Sequence, residues 1–178
     1  MNAIIENKLY KNRIIRLTGG IDPIVAEDII SQLLYHESNN RNLPIYLYIN
    51  SGGGDVSSGL AIADTIRLIS CPVYTICVGI CASMGAFLLS CGAKGNRYAL
   101  ENSTIMIHQL SSMSGCGNMQ VSDLVIQAKY SQRLKNRMTQ LMALNTGQSS
   151  RVIEEYTDRD TFLNPRQAIE FGIVDYIL

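Results

Sequence analysis

Apolar residues in this chain fall into short runs punctuated by glycines and polar clusters, and the period of the runs alternates between strand and helix. Ile14-Ile15-Arg16-Leu17 reads as a short strand. Thr18-Gly19-Gly20 leads from it to Asp22-Pro23, a side-chain cap followed by a proline whose missing N–H costs nothing at a helix start. Ile29/Leu33 and Ile30/Leu34 keep helical spacing as far as His36-Glu37, and the polar stretch Ser38-Asn39-Asn40-Arg41-Asn42 ends it. Ile45-Tyr46-Leu47-Tyr48-Ile49 follows, a near-continuous apolar strand of the kind buried on both faces. After Gly52-Gly53-Gly54 a helix is predicted from about Ser57 to Ile69, and Pro72 introduces the strand Val73–Val78. Past Gly79 the chain turns through Ser83-Met84-Gly85 into a helix at Ala86-Phe87-Leu88-Leu89, and Ile105-Met106-Ile107 is a further strand ending at His108.

Such alternation with short glycine turns argues for parallel βαβ units in a layered α/β domain. Ligands of such domains gather at the carboxyl ends of the strands, and Gly54, Ser83 and His108 each fall at or just past a predicted strand end. From about Met119 to Leu144 the pattern changes to one long helix, with Leu124, Ala128, Leu134, Met138, Leu141 and Met142 spaced through Gln, Lys and Arg. It is either a packed core helix or an oligomerisation arm projecting from the domain. The remainder reads as a helix from Ser150, an Asp-rich turn, a short helix from Pro165, and a last strand over Ile173–Leu178.

Composition narrows the classes. The 178 residues fit one domain, and a chain of that length buries roughly 70% of its unfolded surface without needing disulfides or metals. Fifteen basic and fifteen acidic residues cancel, with no Lys/Arg run to bind nucleic acid or a membrane surface. The five cysteines (71, 77, 81, 91 and 116) include no C-x-x-C pair, and read as buried free thiols of a reducing compartment. Met1–Lys8 lacks a charged leader followed by an apolar stretch, so a soluble cytoplasmic protein, or one of an organelle stroma or matrix, is expected. No metal or cofactor is expected.

Three residue types stand out for chemistry. Serine needs a base to become a nucleophile, and the base needs an orienting carboxylate. Ser83 lies among small residues, Gly79-Ile80-Cys81-Ala82-Ser83-Met84-Gly85-Ala86, at a strand-to-helix turn where N–H groups point at a forming oxyanion; the plainer role for a serine there is a helix cap. Of the two histidines, His36 reads as a solvated residue at a polar helix end, whereas His108 ends an apolar strand, either as a satisfied core residue or as a base. Spacing alone does not choose between Asp158 and Asp160 for the carboxylate. Gly52-Gly53-Gly54 lacks the Lys-Ser/Thr of a phosphate loop. It is either a tight turn or, through the Gly54 N–H, half of an oxyanion hole.

Together these stretches resemble the Clp proteolytic subunit (ClpP) family. The resemblance runs through Ile45–Ser51 with its glycines, Ala82–Leu89, Met106–Gln109, Leu141–Leu144 with Thr146-Gly147-Gln148, Asp158–Leu163 and Phe171–Asp175. It implies a ClpP/crotonase-type α/β fold of repeated β-β-α and βαβ units, with a projecting handle over about 111–144. It implies Ser83, His108 and Asp160 as a catalytic triad, and backbone N–H groups of Gly54 and Met84 as the oxyanion hole. It also implies two stacked heptameric rings, homomeric or mixed with a paralogue, joined through the handle and through Asp158 paired with Arg159 of a facing subunit. A Clp-type AAA+ ATPase would deliver unfolded polypeptide to the enclosed serine endopeptidase sites. The substrate would add as a strand beside Gly54–Val56 and the residues after Gln109. Tyr46 and Tyr48 match positions near the ATPase-docking cleft, although ordinary core is the commoner role for alternating aromatics.

The chain departs from the family pattern at Gly52 and Leu110, both usually Pro, at the longer loop 111–119, and at Cys81, whose simplest role is a small buried residue. The match begins at Asn7-Lys8-Leu9-Tyr10, so curtailed axial hairpins, a wide pore and weak ATPase-driven degradation are expected. Two other readings are a crotonase-like acyl-CoA enzyme, which needs no such triad, and a non-catalytic ring subunit supporting an active paralogue.

Overall fold

The computed structural model describes residues 3–110 and 120–178. The loop 111–119, with Cys116, lies outside the described residues. The chain folds into an α/β domain whose mixed sheet carries seven helices among the described residues. After α1 (Ala3–Lys11), strand β1 (Ile14–Ile21) leads to α2 (Pro23–Asn39), whose start is capped as expected by Asp22 accepting from the Val25 N–H at 2.8 Å. β2 (Ile45–Gly54), α3 (Val56–Leu68) and β3 (Val73–Ala82) follow, and Asp55, the residue after the three glycines, caps α3 through the Ser58 N–H. That cap accounts for the acid that ends the glycine run.

β1, β2, β3, β4 (Arg97–Ala99) and β7 (Tyr176–Ile177) lie side by side and parallel. Burial on β2 alternates strictly, unlike the doubly buried strand expected there. Ile45, Leu47 and Ile49 enter the core, whereas Tyr46 and Tyr48 lie on the other face. Tyr46, Tyr74, Tyr98 and Tyr176 continue across that face as a ladder with ring centroids 5.4–6.5 Å apart. These tyrosines are therefore surface, not core. The core itself lies on the opposite face, where α2, α3 and α4 (Met84–Ser90) cover the sheet with Ile29, Leu33, Ile62, Phe87 and Leu88.

The decisive irregularity is in β3. The expected strand stops at Val78, but the observed one continues through Gly79 to Ala82. Ile49 pairs with Cys77 and Ser51 with Cys81, so two steps on β2 face four on β3, and the slack is taken up at Gly79, where φ is +81°. Asn50 fills the bulge, its Oδ1 accepting from the Ile80 N–H. Below the bulge β3 pairs with β4; above it β3 pairs with β5 (Thr104–Ile107), which in turn pairs antiparallel with β6 (Thr161–Leu163). The sheet thus forks, and the upper branch carries the end of β3 away from β4.

α5 (Val121–Thr146) is the long helix expected near 119–144, followed by α6 (Ser150–Thr157) and α7 (Pro165–Phe171). Its first half leaves Val121, Leu124, Val125, Ile126 and Tyr130 exposed, while Leu141 and Met142 near its end are buried in the core. The last strand is only Tyr176–Ile177, because Ile173 and Val174 are tucked under the C-terminal end of α7 by N–H bonds to Ala168.

One expectation fails outright. His36 is not solvated: it is 3% exposed, packed against Tyr10 and Tyr35 with ring centroids 4.7 and 5.5 Å away, and its Nε2 has no hydrogen-bond partner among the described residues. α1 folds over this end of α2, which the polar sequence after His36 gives no hint of. Burial, with the Arg13 charge beside it, lowers the His36 pKa. Cys71, Cys77 and Cys81 are buried free thiols, and burial raises Cys81 well above the ordinary thiol range, which fits its structural role.

Candidate active site

The fork sets the site. Along β3 and β5 the parallel register pairs Ala82 with Met106, and the Ser83 N–H donates to the Met106 carbonyl at 2.9 Å. Ser83 is the next residue on one strand, and His108 lies two beyond Met106 on the other. Along β5 and β6 the antiparallel register pairs Ile107 with Thr161, so the next pair outward is His108 with Asp160. Three strand ends therefore deliver a hydroxyl, an imidazole and a carboxylate to one place.

Ser83 occupies the N-cap position of α4 with φ +55° and ψ −121°, a conformation rarely adopted by residues other than glycine. Its side chain makes no cap hydrogen bond. A capping serine contributes about 1 kcal/mol to its helix, so this one forgoes the plainer role. Its Oγ lies instead 2.9 Å from His108 Nε2. On the far side of the ring, His108 Nδ1 lies 3.4 Å from Asp160 Oδ1. The carboxylate is 62% exposed and the imidazole 23%. Asp160, rather than Asp158, is the acid beside the histidine. Asp158 faces outward on the same turn, 3.6 Å from Arg159 of its own chain, and the Arg159 side chain is 90% exposed.

Met84 is the first residue of α4, where backbone N–H groups have no intrahelical partner and the helix dipole is positive. The glycine facing it directly is Gly53, which sequence reasoning passed over. A Cβ there would come within 2.7 Å of Ser83 Cβ and 3.0 Å of the Met84 nitrogen, and φ is +96°. Gly54 turns its own Cβ direction the other way, into the Ile21 carbonyl of β1. The signal for both is a glycine pair at a strand end that cannot be a phosphate loop. Gly52, by contrast, has open space and ordinary backbone angles, so the usual proline is not excluded there by contacts.

A cleft with a cavity volume of about 60 Å³ opens beside Ser83 and His108. Phe87, Ile107, Met138, Met142 and Ile153 make it apolar, while Leu110 and Lys135 also line it. Sequence reasoning missed Met138, Met142 and Ile153 as site residues because helical spacing marks them simply as core. The arrangement has the parts that acyl transfer needs: a hydroxyl with a base within hydrogen-bond reach, a carboxylate on that base, and backbone donors at a helix start.

In a comparison with known families, the family model described as Clp protease matches residues 2–178.

Proposed function

The chain belongs to the Clp protease family and is a serine peptidase of the ClpP type; from that premise we propose that it is the proteolytic subunit of a self-compartmentalising protease working through Ser83, His108 and Asp160. The observation that carries the triad is the Ser83 hydroxyl, which sits at a helix cap yet lies against His108 Nε2 at 2.9 Å. His108 takes the Ser83 proton as Oγ attacks the peptide carbonyl. Asp160 holds the ring so that Nδ1–H faces the carboxylate and Nε2 is free to accept. The tetrahedral oxyanion is received by the N–H groups of Gly54 and Met84, with Gly53 supplying the room. His108 then returns its proton to the leaving amine, and water repeats the sequence on the acyl-enzyme. The 3.4 Å contact to Asp160 is longer than a strong charge-assisted bond, as is common before substrate closes a site.

Assembly into stacked rings is supported by the exposed apolar positions of α5 and by Asp158 and Arg159, which share a turn with Asp160. Paired across a ring interface, those two residues would brace the turn. The tyrosine ladder offers a face for apolar loops of a Clp-type ATPase, with unfolded polypeptide as substrate. Arg159→Ala tests the assembly: it should weaken the double ring in sedimentation and lower peptide cleavage together. An intact double ring with lost activity would refute the coupling between interface and site.

A further inference from the structure

Gln109 follows His108 directly and is half-buried between α5 and the turn that carries Asp160. Its backbone N–H donates to the Thr157 carbonyl at 2.6 Å, and its Nε2 donates to the Asp158 carbonyl at 3.1 Å. Its Oε1 accepts from Lys135 Nζ, on α5, at 3.3 Å. A carboxamide has a donor end and an acceptor end, an ammonium only donates and a carbonyl oxygen only accepts. Only one orientation of the amide serves both neighbours, and Lys135 selects it.

The turn needs such a tether. β6 is three residues long, and Asp160 is mostly exposed, with one contact to His108. Within the turn, Thr161 Oγ1 donates to the Tyr156 carbonyl at 2.7 Å, which shapes the loop but does not tie it to β5. The pairing of Ile107 with Thr161 holds the turn to β5 on the side after Asp160, and Gln109 makes the tie on the side before it, from the residue beside the base to the carbonyl two residues before the carboxylate.

We propose that Gln109 is a positioning residue that holds the 158–160 turn against His108, with Lys135 fixing the sense of its amide. The proposal rests on the triad reading above. Freed from the Gln109 side chain, the turn would lose that tie, Asp160 would leave Nδ1, and the imidazole would lose its orientation.

Two variants of the full-length protein test it. Gln109→Glu keeps the size and the Lys135 contact but sets an oxygen against the Asp158 carbonyl, and Gln109→Ala removes the side-chain bonds. For cleavage of a short peptide, both should lose about 10- to 100-fold in kcat, a part of what a positioned general base supplies, with KM within about twofold. Acylation of Ser83 by a fluorophosphonate should slow in parallel. A raised KM with kcat unchanged would overturn the positioning role, since it would place Gln109 against the substrate and not behind the base. Equal acylation rates in wild type and variants would overturn it too. Absence of a Ser83 adduct in the wild type would instead overturn the triad reading, and this proposal with it.

Discussion

Arg97 meets Asp175 at the edge of β4 and β7, and His108 meets Asp160 at the edge of β5 and β6. Each pair ties a late segment of the chain to an earlier strand, one register step outside a ladder. The first is closed on every side. Arg97 Nη2 and Nε reach the two Asp175 oxygens at 2.6 and 2.9 Å, Nη1 donates to the carbonyls of Asn145 and Gly172, and the side chain is 6% exposed. The second is a single 3.4 Å contact to a carboxylate facing solvent. An arginine fork with four of its five N–H donors engaged, on a side chain 6% exposed, is not placed to act on a substrate. A histidine held from one side keeps its other nitrogen for a hydroxyl. The first pair is a clamp; the second leaves a ring nitrogen against Ser83.

Removing one carboxylate from each pair should separate their roles. Asp160→Asn should cut kcat by roughly 10³- to 10⁴-fold, the scale on which an orienting carboxylate matters in a serine triad. It should leave the urea midpoint nearly unchanged, within about 0.5 kcal/mol, because the side chain is solvated. Asp175→Asn should do the reverse. With its partner gone, the buried guanidinium costs about 3 kcal/mol of stability, read by urea unfolding, while residual folded protein keeps its chemistry. Burial alone would raise the Asp175 pKa, but the hydrogen bonds and charge of Arg97 outweigh it and hold it below the ordinary carboxylate value. That contribution is full above the unfolded pKa of about 3.9 and is lost as pH falls through the lower folded value. Wild-type stability should therefore drop in acid more steeply than that of Asp175→Asn.

A smaller effect is expected at the other histidine. His36 is buried and its pKa lowered, so the unfolded chain binds its proton more readily than the folded one. Stability should then fall as pH drops below about 6.5, the unfolded value. His36→Leu should remove that slope and stabilise the protein by about 1 kcal/mol near pH 5.5, because it replaces an unpartnered buried nitrogen with a methyl-bearing side chain of similar size. Peptide cleavage at pH 7 should be unaffected. An unchanged slope in calorimetry would show that His36 does not titrate on unfolding.

What was legible in the sequence follows from which signals are local. Asp22-Pro23 marks a helix start by itself, and the 26-residue α5 advertises its period over seven turns. Ser83 and His108 were readable because each ends a run of apolar residues. Asp160 was not separable from Asp158 by spacing, since the choice rests on the antiparallel register of β6, and three residues carry no period. The same shortness hid β4. A glycine after an apolar run reads as a turn, which places the expected end of β3 before Gly79, whereas the residue is a bulge inside the strand. Gly53 and the burial of His36 both depend on neighbours distant in sequence, Ser83 in one case and α1 with Tyr10 in the other.

The proposed chemistry stands on Ser83 as the nucleophile activated by His108. It is tested most directly by treating the purified protein with a fluorophosphonate, digesting it and locating the adduct by mass spectrometry, alongside His108→Ala. The account predicts a single modified serine, Ser83, in the wild type, with labelling nearly abolished by His108→Ala. An adduct on another serine, or labelling of Ser83 that persists unchanged without His108, would contradict it.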